Sequence, residues 1–240
     1  MTGVDESMTY ATTPAIAVLG AGHVGPAIAR LALEAGHSVA IATSGNPGHL
    51  ALIAQLLIPG AEPLWAADAI ARADIVVLAM PLHRFLRMDP NALSEKLVID
   101  AMNYWPPTDG RLPPPFGEES IGTSEGVAER LPNATVVKTL NHVGYHELES
   151  YARPSGSMDR RALGVAGDDL DAVRTVSAFV DGIGYDAVPL GSLSAGRVLQ
   201  PGGPVFGTVL RREDFERAVH SSAEQQKTFG LAEQHYGRSA

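Results

Sequence analysis

The sequence contains no cysteine among its 240 residues. This absence excludes disulfide frameworks, zinc fingers, iron–sulfur clusters and thiol nucleophiles. A chain of this length buries about 70–75% of the surface that its unfolded state exposes, so it needs neither a disulfide nor a structural metal. No apolar run approaches the ~18 residues of a membrane span, and the first residues show no charged-then-apolar leader. We therefore expect a cytoplasmic protein with no membrane partner.

Positive charge is also scarce, because 18 lysines and arginines stand against 27 acidic residues and give a formal net charge of −9. A field of this sign repels nucleic acids and anionic lipid surfaces. We therefore expect a small-molecule substrate and no nucleic-acid partner. A small anion can still be held locally by backbone amides at the N-terminus of a helix.

Short apolar runs alternate with helical stretches along the first part of the chain. The runs at 15–19, 38–42, 74–80, 96–100 and 134–138 are typical of strands buried on both faces of a parallel sheet. Their alternation with helices predicts right-handed βαβ units. The predicted fold class is α/β, with a Rossmann-type doubly wound parallel sheet and a smaller C-terminal α+β unit.

The same patterns divide the chain into four parts. We expect a loose leader at 1–13, an NADP-binding Rossmann domain at 14–140, a smaller second-substrate unit at 141–207 and a helical tail at 208–240.

Two segments of the chain have unusual compositions. Residues 105–117 hold five of the 17 prolines, which predicts a long surface loop that no helix crosses. Residues 211–234 have helical composition with little apolar content, and they are the candidate contact surface of a homodimer.

Three glycines, Gly20, Gly22 and Gly25, directly follow the first predicted strand and directly precede an amphipathic helix. In this setting the first glycine permits a tight turn, the second lets a pyrophosphate approach the backbone, and the third allows close packing of helix on strand. The helix N-terminus adds free amides and a positive dipole. The motif therefore predicts a dinucleotide site, and the alternative is a glycine turn with a packing role only.

The end of the second predicted strand lacks the carboxylate that usually holds the ribose hydroxyls of NAD. Thr43, Ser44 and Asn46 stand there instead, and their hydroxyl and amide groups favour NADP over NAD. The alternative is that these residues form a turn and cap a helix. No arginine is present at this position to hold a phosphate.

Further candidates follow the third and fourth predicted strands, at the carboxyl edge where ligands of open α/β sheets collect. Met80, Pro81 and Leu82 follow the third strand, where the proline either shapes a wall beside the nicotinamide or simply ends the strand. Asn103 and Tyr104 follow the fourth strand, and a flat ring could stack on the aromatic side chain there. The alternative is that this aromatic segment closes the core.

A polar cluster follows the fifth predicted strand and contains Lys138, Asn141, His142 and His146. The two histidines are four residues apart, a spacing that suits metal ligands on one helix face. Gly144 lies between them and no third ligand stands at a recognisable spacing, so we expect no metal site.

The order of these motifs makes residues 14–207 resemble the NADPH-dependent reductases of the deazaflavin coenzyme factor 420 (F420). The resemblance is carried by VLGAGHVG, the proline after DIVVLAM, VVKTLN, RALGVAGDDLDAV and GYDAVPLGSLSAGRVLQPGGPVFG. It implies an oxidoreductase that moves a hydride directly between NADP(H) and F420, with the two rings in contact.

The resemblance also implies roles for individual residues. It places NADP on the glycine loop, including His23 and Val24, and it places Pro81 against the nicotinamide. Asn141 and His142 are the implied catalytic residues, near the face where the two rings stack.

The 2′-phosphate of NADP would lie near Thr43 and Ser44. Where the family usually places Ser-Arg for this phosphate, this chain has Thr43, Ser44 and Gly45.

Two other functions stay open. A related NADP-dependent dehydrogenase or imine reductase would act on a small carbonyl-type substrate and would need an acid or base, for which Lys138, Tyr104 and His142 are the candidates. A non-catalytic NADP sensor would bind the nucleotide with the glycine loop and would show no turnover.

Overall fold

The computed structural model describes residues 13–116, 118 and 121–222, and these build a sheet with strand order β3-β2-β1-β4-β5-β6-β7-β8. The strands are β1 (Ile16–Leu19), β2 (Val39–Ala42), β3 (Glu62–Pro63), β4 (Ile75–Leu78), β5 (Leu97–Asp100), β6 (Thr135–Lys138), β7 (Ala162–Gly167) and β8 (Asp186–Gly191). The predicted leader, apart from its last residue, lies outside the described residues, as does the tail beyond residue 222.

Helices connect these strands. They are α1 (Val24–Glu34), α2 (Pro47–Leu57), α3 (Ala66–Arg72), α4 (Leu82–Phe85), α5 (Pro106–Asp109), α6 (Thr123–Arg130), α7 (Tyr145–Ser150) and α8 (Leu170–Gly182), with 3-10 helices at Pro90–Leu93 and Leu193–Leu199. A further helix, α9, is described over 212–222. No helix in the described part of the chain is long and apolar enough to cross a membrane.

The first six strands run parallel, and their order is that of the doubly wound dinucleotide-binding fold. The strands β1 and β4 are buried along their whole length, which explains why they appear in the sequence as continuous apolar runs. The predicted fold class is confirmed.

The last two strands continue the same sheet in the opposite direction. β7 is antiparallel to β6, and β8 is parallel to β7 through the crossover helix α8. Only Ala166 and Gly167 of β7 pair with β6, opposite Lys138 and Val137, so the first four residues of β7 extend past the end of β6. The predicted smaller C-terminal unit is therefore attached edge to edge, and its boundary near residue 140 stays a prediction.

The prediction that no helix crosses the proline-rich segment is wrong for Pro106–Asp109, which form α5. The two prolines occupy the first positions of this single turn, where a missing N–H leaves no helical hydrogen bond unmade. Asp109 is buried at the end of the turn, and its carboxylate accepts a hydrogen bond of 2.9 Å from the Trp105 amide. The other carboxylate oxygen accepts a hydrogen bond of 3.0 Å from the His83 amide in α4, which ties the loop back to the domain.

A buried ion pair fastens β5 to β6. Lys138 Nζ lies 3.3 Å from Asp100 Oδ2, and both side chains are fully buried. Ser124 in α6 donates a 2.6 Å hydrogen bond to the same carboxylate oxygen, and Lys138 also donates to the carbonyl of Met102. Burial lowers the pKa of the Lys138 ammonium, while the Asp100 carboxylate opposes that shift. One charged network thus joins two strands and the helix beside them.

We expect Asp100→Ala to lower the free energy of unfolding by about 3–5 kcal/mol, because it leaves the Lys138 ammonium buried without its partner. Urea denaturation measures the change. The double variant Asp100→Leu with Lys138→Met should recover most of the loss, since it removes both charges. Glu62→Ala breaks the exposed pair with Arg72 and should cost no more than about 1 kcal/mol. Equal losses at Asp100 and Glu62 would contradict this account.

Candidate functional site

A cleft of about 500 Å³ opens over the carboxyl ends of β1, β2 and β4. Its walls are the glycine loop after β1, the end of β2, the first residue of α3, the segment that follows β4 and Thr108 of α5. The strand order reverses direction at β1, which lies between β2 and β4. Ligands of open α/β sheets bind at such a switch point, so the position of the cleft makes it the candidate binding site.

Two of the three motif glycines are required by close backbone contacts. Gly20 has a φ of +130°, and a Cβ there would lie 2.2 Å from the carbonyl oxygen of Ala79. A Cβ on Gly25 would lie 1.9 Å from the carbonyl oxygen of Gly20. A larger residue at position 20 would push the turn away from the end of β4. A larger residue at position 25 would push α1 away from the turn.

Gly22 is in a different environment. A Cβ built on this residue would meet no atom within 4 Å, and the residue lines the cleft. The fold therefore does not itself demand a glycine here. The open space at this position fits the role predicted for the second glycine, which is to let a pyrophosphate approach the backbone.

The N-terminus of α1 has no side chain capping it. His23 is the N-cap residue but makes no side-chain cap hydrogen bond, and the first turn holds no acidic residue. The exposed His23 ring instead stacks on Tyr145 at 4.8 Å between centroids. The ion pair of Arg30 with Glu149, at 2.8 Å, also holds α7 against α1. The first amides of α1 are therefore left for an anion, as a pyrophosphate site requires.

The candidates after β2 divide between the cleft and the turn. Thr43 and Ser44 line the cleft, and the Thr43 hydroxyl also accepts a 3.3 Å hydrogen bond from the Gly45 amide. Asn46 is the N-cap of α2, and its side-chain oxygen accepts a 2.8 Å hydrogen bond from the amide of Gly48. The contact of Asn46 is thus that of a capping residue, and its role in cofactor binding stays a prediction.

The candidates after β4 divide in a similar way. Met80 and Pro81 line the cleft, whereas Leu82 is fully buried and packs in the core. Val24 is partly buried at the start of α1 and packs against the main core cluster.

A second group of predicted residues meets at the carboxyl ends of β5 and β6. Asn103 and Asn141 form a reciprocal pair, in which Asn141 Nδ2 donates to Asn103 Oδ1 at 2.9 Å and Asn103 Nδ2 donates to the Asn141 carbonyl at 2.8 Å. Asn141 Nδ2 also donates to the carbonyl of Leu199 at 2.6 Å. Asn141 Oδ1 is buried and has no hydrogen-bond partner among the described residues. The nearby Tyr104 hydroxyl donates to the carbonyl of Gly110 at 2.9 Å.

His142 is buried beside this pair, and its ring lies 5.6 Å from that of Phe215 in α9. Neither ring nitrogen has a hydrogen-bond partner within residues 13–116, 118 and 121–222. Burial lowers the pKa of His142 to about 3, so the ring is neutral at physiological pH. A charged role for His142 in acid–base chemistry is therefore disfavoured, and its catalytic role stays a prediction.

The two histidines considered as metal ligands do not share a helix face. His142 precedes α7 and is buried, whereas His146 lies within α7 and is exposed. Among the residues that the structure describes, no group of three or more potential metal ligands is present.

Sequence reasoning missed part of the cleft wall. His83, Arg84 and Met88 line it from the segment after β4. The His83 ring is held by Asp109, with Nδ1 2.9 Å from Oδ1 of a carboxylate that is 1% exposed. The two residues are 26 positions apart in the chain, and no sequence pattern connects them. The one signal in the sequence was that His83 directly follows Pro81 and Leu82, two residues predicted to lie at the site.

Residues 15–104 match the model of a protein family described as NADP oxidoreductase, coenzyme F420-dependent. This segment contains the glycine loop, the end of β2 and the wall that follows β4. The resemblance inferred from the sequence is confirmed over these residues.

Solved structures of similar proteins cover more of the chain. A hypothetical protein of Sinorhizobium meliloti superimposes with a TM-score of 0.69 at 27% identity, covering 83% of this chain and 96% of that one. A candidate F420-dependent NADP reductase of Arthrobacter sp. FB24 gives a TM-score of 0.68 at 25% identity, covering 83% of this chain and 100% of that one.

A curated relative is the metalloreductase STEAP3 of Rattus norvegicus, which is 25% identical over 189 residues. The match takes in 78% of this chain and 36% of the rat protein, so this chain spans about a third of the length of that relative.

We expect Gly22→Ala and Gly25→Ala to separate binding from folding. Gly22→Ala should leave the free energy of unfolding almost unchanged and weaken NADPH binding by about 10- to 100-fold, because the methyl group fills the cradle. Gly25→Ala should destabilise the fold by at least about 1–3 kcal/mol, because its Cβ meets the Gly20 carbonyl. Fluorescence titration and urea denaturation measure the two effects. Gly182→Ala, at an open position in α8, is the control: it should leave NADPH binding unchanged and raise the free energy of unfolding by no more than about 1 kcal/mol, because alanine favours a helix over glycine. Unweakened NADPH binding in Gly22→Ala would refute the cradle.

The burial of His142 predicts a specific pH dependence of stability. The unfolded chain takes up a proton on this residue near pH 6.5, whereas the folded chain does so only near pH 3. The unfolded state therefore binds more protons in this window, and the free energy of unfolding falls as the pH drops. Between pH 7 and pH 5 the wild type should lose about 2 kcal/mol more than His142→Leu. The exposed-site variant His49→Gln should behave as the wild type, and identical pH profiles for wild type and His142→Leu would contradict the assignment.

Proposed function

We propose that this chain, whose residues 15–104 match the family of F420-dependent NADP oxidoreductases, transfers a hydride between NADP(H) and a deazaflavin of the F420 type. The observation that carries the proposal is the open cradle at Gly22, which lies at the switch point of the sheet and within the matched segment. A glycine that the fold does not require, set beside an uncapped helix N-terminus, is best explained by a bound pyrophosphate.

The cleft suits the adenosine and pyrophosphate half of the nucleotide. Its described walls include residues of β1, β2, α3, the segment after β4 and Thr108 of α5, but no residue of the strands β5 and β6 themselves. The nicotinamide of a dinucleotide bound across the switch point would extend toward the ends of those two strands. Asn103 and Asn141 lie there, and the acceptor ring would be placed against the same edge.

We assign Asn141 the task of positioning the rings. Its amide group is held by Asn103 and by the carbonyl of Leu199, so its orientation is fixed from two sides. Its Oδ1 atom is left without a partner in a side chain that is 5% exposed, and an unpaired buried acceptor is costly. A hydrogen-bond donor on one of the two rings would relieve that cost.

Direct hydride transfer also agrees with the state of the candidate acids and bases. Lys138 is fully buried in its ion pair with Asp100, and His142 is neutral and enclosed. When both ligands are bound, NADPH supplies the hydride and the deazaflavin ring accepts it. The chain itself needs to align the two rings and exclude water, without a covalent nucleophile. A dehydrogenase or imine reductase acting on a small substrate would need a positioned proton donor near Asn141.

The first test is the loss of NADPH absorbance with purified protein and oxidised F420. NADH and a common flavin serve as alternative donor and acceptor. Rapid F420-dependent oxidation of NADPH supports the proposal. Tight NADPH binding without turnover on F420 would overturn the acceptor and leave the nucleotide site in place.

We expect Asn141→Ala to lower the rate of F420-dependent NADPH oxidation by about 10-fold or more while the Kd for NADPH stays within about twofold, because misaligned rings transfer hydride poorly. Asn103→Ala removes the group that orients Asn141 and should give a smaller loss of rate. Asn91→Ala, at an exposed position in the 3-10 helix that precedes β5, is the matched control. An unchanged rate in a folded Asn141→Ala protein would rule out the positioning role.

A further inference from the structure

A positively charged side chain reaches the cleft from a segment other than the loop after β2. The sequence places no arginine at the end of β2, where Thr43, Ser44 and Gly45 stand. Arg84 in α4 nevertheless lines the same cleft as Thr43 and Ser44. The fold thus brings a guanidinium group to the neighbourhood of these hydroxyls from a segment about forty positions later in the chain.

The charge of the cleft differs in sign from that of the whole chain. The chain carries a formal net charge of −9, yet the described residues that line the cleft include no aspartate and no glutamate. Arg84 is the one arginine or lysine among these lining residues. No described lining carboxylate neutralises the Arg84 guanidinium, so its positive charge acts on the ligand that occupies the cleft.

The Arg84 side chain is available to bind a ligand. Across residues 13–116, 118 and 121–222 it makes no side-chain hydrogen bond and no ion pair. Its backbone is fixed, because its amide donates to the Pro81 carbonyl at 2.9 Å and the neighbouring Leu82 is fully buried. The His83 amide is likewise held by Asp109 at 3.0 Å. Because the backbone of Arg84 is fixed and its guanidinium is exposed, the five N–H donors of this group are well suited to hold an anion.

We propose that Arg84 binds the 2′-phosphate of NADP(H), together with the hydroxyls of Thr43 and Ser44, and so selects NADP(H) over NAD(H). The inference rests on the proposed function for the identity of the nucleotide. The selecting cation comes from α4, on the far side of the cleft, and replaces an arginine on the loop after β2. The 2′-phosphate would then be held between two segments that approach it from opposite walls.

The test compares the binding of NADPH and NADH by wild type, Arg84→Ala and Arg84→Lys. Arg84→Ala should weaken NADPH binding by about 10- to 100-fold, the effect of losing a charge-assisted contact, while the Kd for NADH stays within about twofold. Arg84→Lys should keep part of the preference, since it retains the charge but loses the paired donors. Arg87→Ala is the matched control, because Arg87 is exposed but does not line the cleft.

Adenosine fragments isolate the phosphate from the rest of the nucleotide. Adenosine 2′,5′-bisphosphate and adenosine 5′-monophosphate are used as competitors of bound NADPH. Wild type should prefer the bisphosphate, and Arg84→Ala should lose that preference without losing affinity for the monophosphate. Added salt should weaken the bisphosphate more in wild type than in Arg84→Ala, because the ionic contact is screened.

The outcomes distinguish this inference from the proposed function. Equal weakening of NADPH and NADH in Arg84→Ala, or no weakening of either, would overturn the role of Arg84. A wild type that prefers NADPH through Arg84 but fails to reduce F420 supports the inference and overturns the acceptor. A wild type that binds neither dinucleotide overturns both.

Discussion

The candidate site depends on one steric constraint, the near contact of three backbone segments around Gly20. The turn after β1 packs against the carbonyl of Ala79 on one side and against Gly25 of α1 on the other, at separations that leave no room for a Cβ. This packing sets the distance between β1, β4 and the start of α1. The cleft is the space above that junction, so its width and the exposure of the α1 amides follow from the same contacts. This steric constraint does not apply to Gly22, where a Cβ would meet no atom within 4 Å. The presence of glycine at this position is therefore better explained by a bound ligand than by the fold.

The sheet was predictable from the sequence because strands buried on both faces appear as continuous apolar runs. β1, β4 and β5 are of this kind, and the glycines that follow β1 mark the turn. The two-residue strand β3 at the sheet edge was too short and too polar to produce such a run. The single turn α5 was missed because proline, which forbids the interior of a helix, is tolerated at its first positions.

The candidate site was predictable only where it lies on one stretch of chain. The glycine loop, Thr43 and Ser44 follow their strands directly, and their positions at the carboxyl edge followed from the topology. The contacts of His83 with Asp109 and of Asn103 with Asn141 join residues 26 and 38 positions apart. Such pairs arise from tertiary packing, which leaves no periodic signal in a single sequence. The burial of His142 under α9 is of the same kind, and it changes a plausible acid into a neutral ring.

The offset between β6 and β7 leaves the first part of β7 without a partner strand on its β6 side. The first four residues of β7 extend beyond the last residue of β6, a length of roughly 13 Å at about 3.3 Å per residue. β8 pairs with these four residues on their other side. Leu199 packs in one apolar cluster with Ala162 of β7 and Val188 of β8. The carbonyl of Leu199 also accepts the hydrogen bond from Asn141 Nδ2, so the last two strands help to orient a side chain of the candidate site.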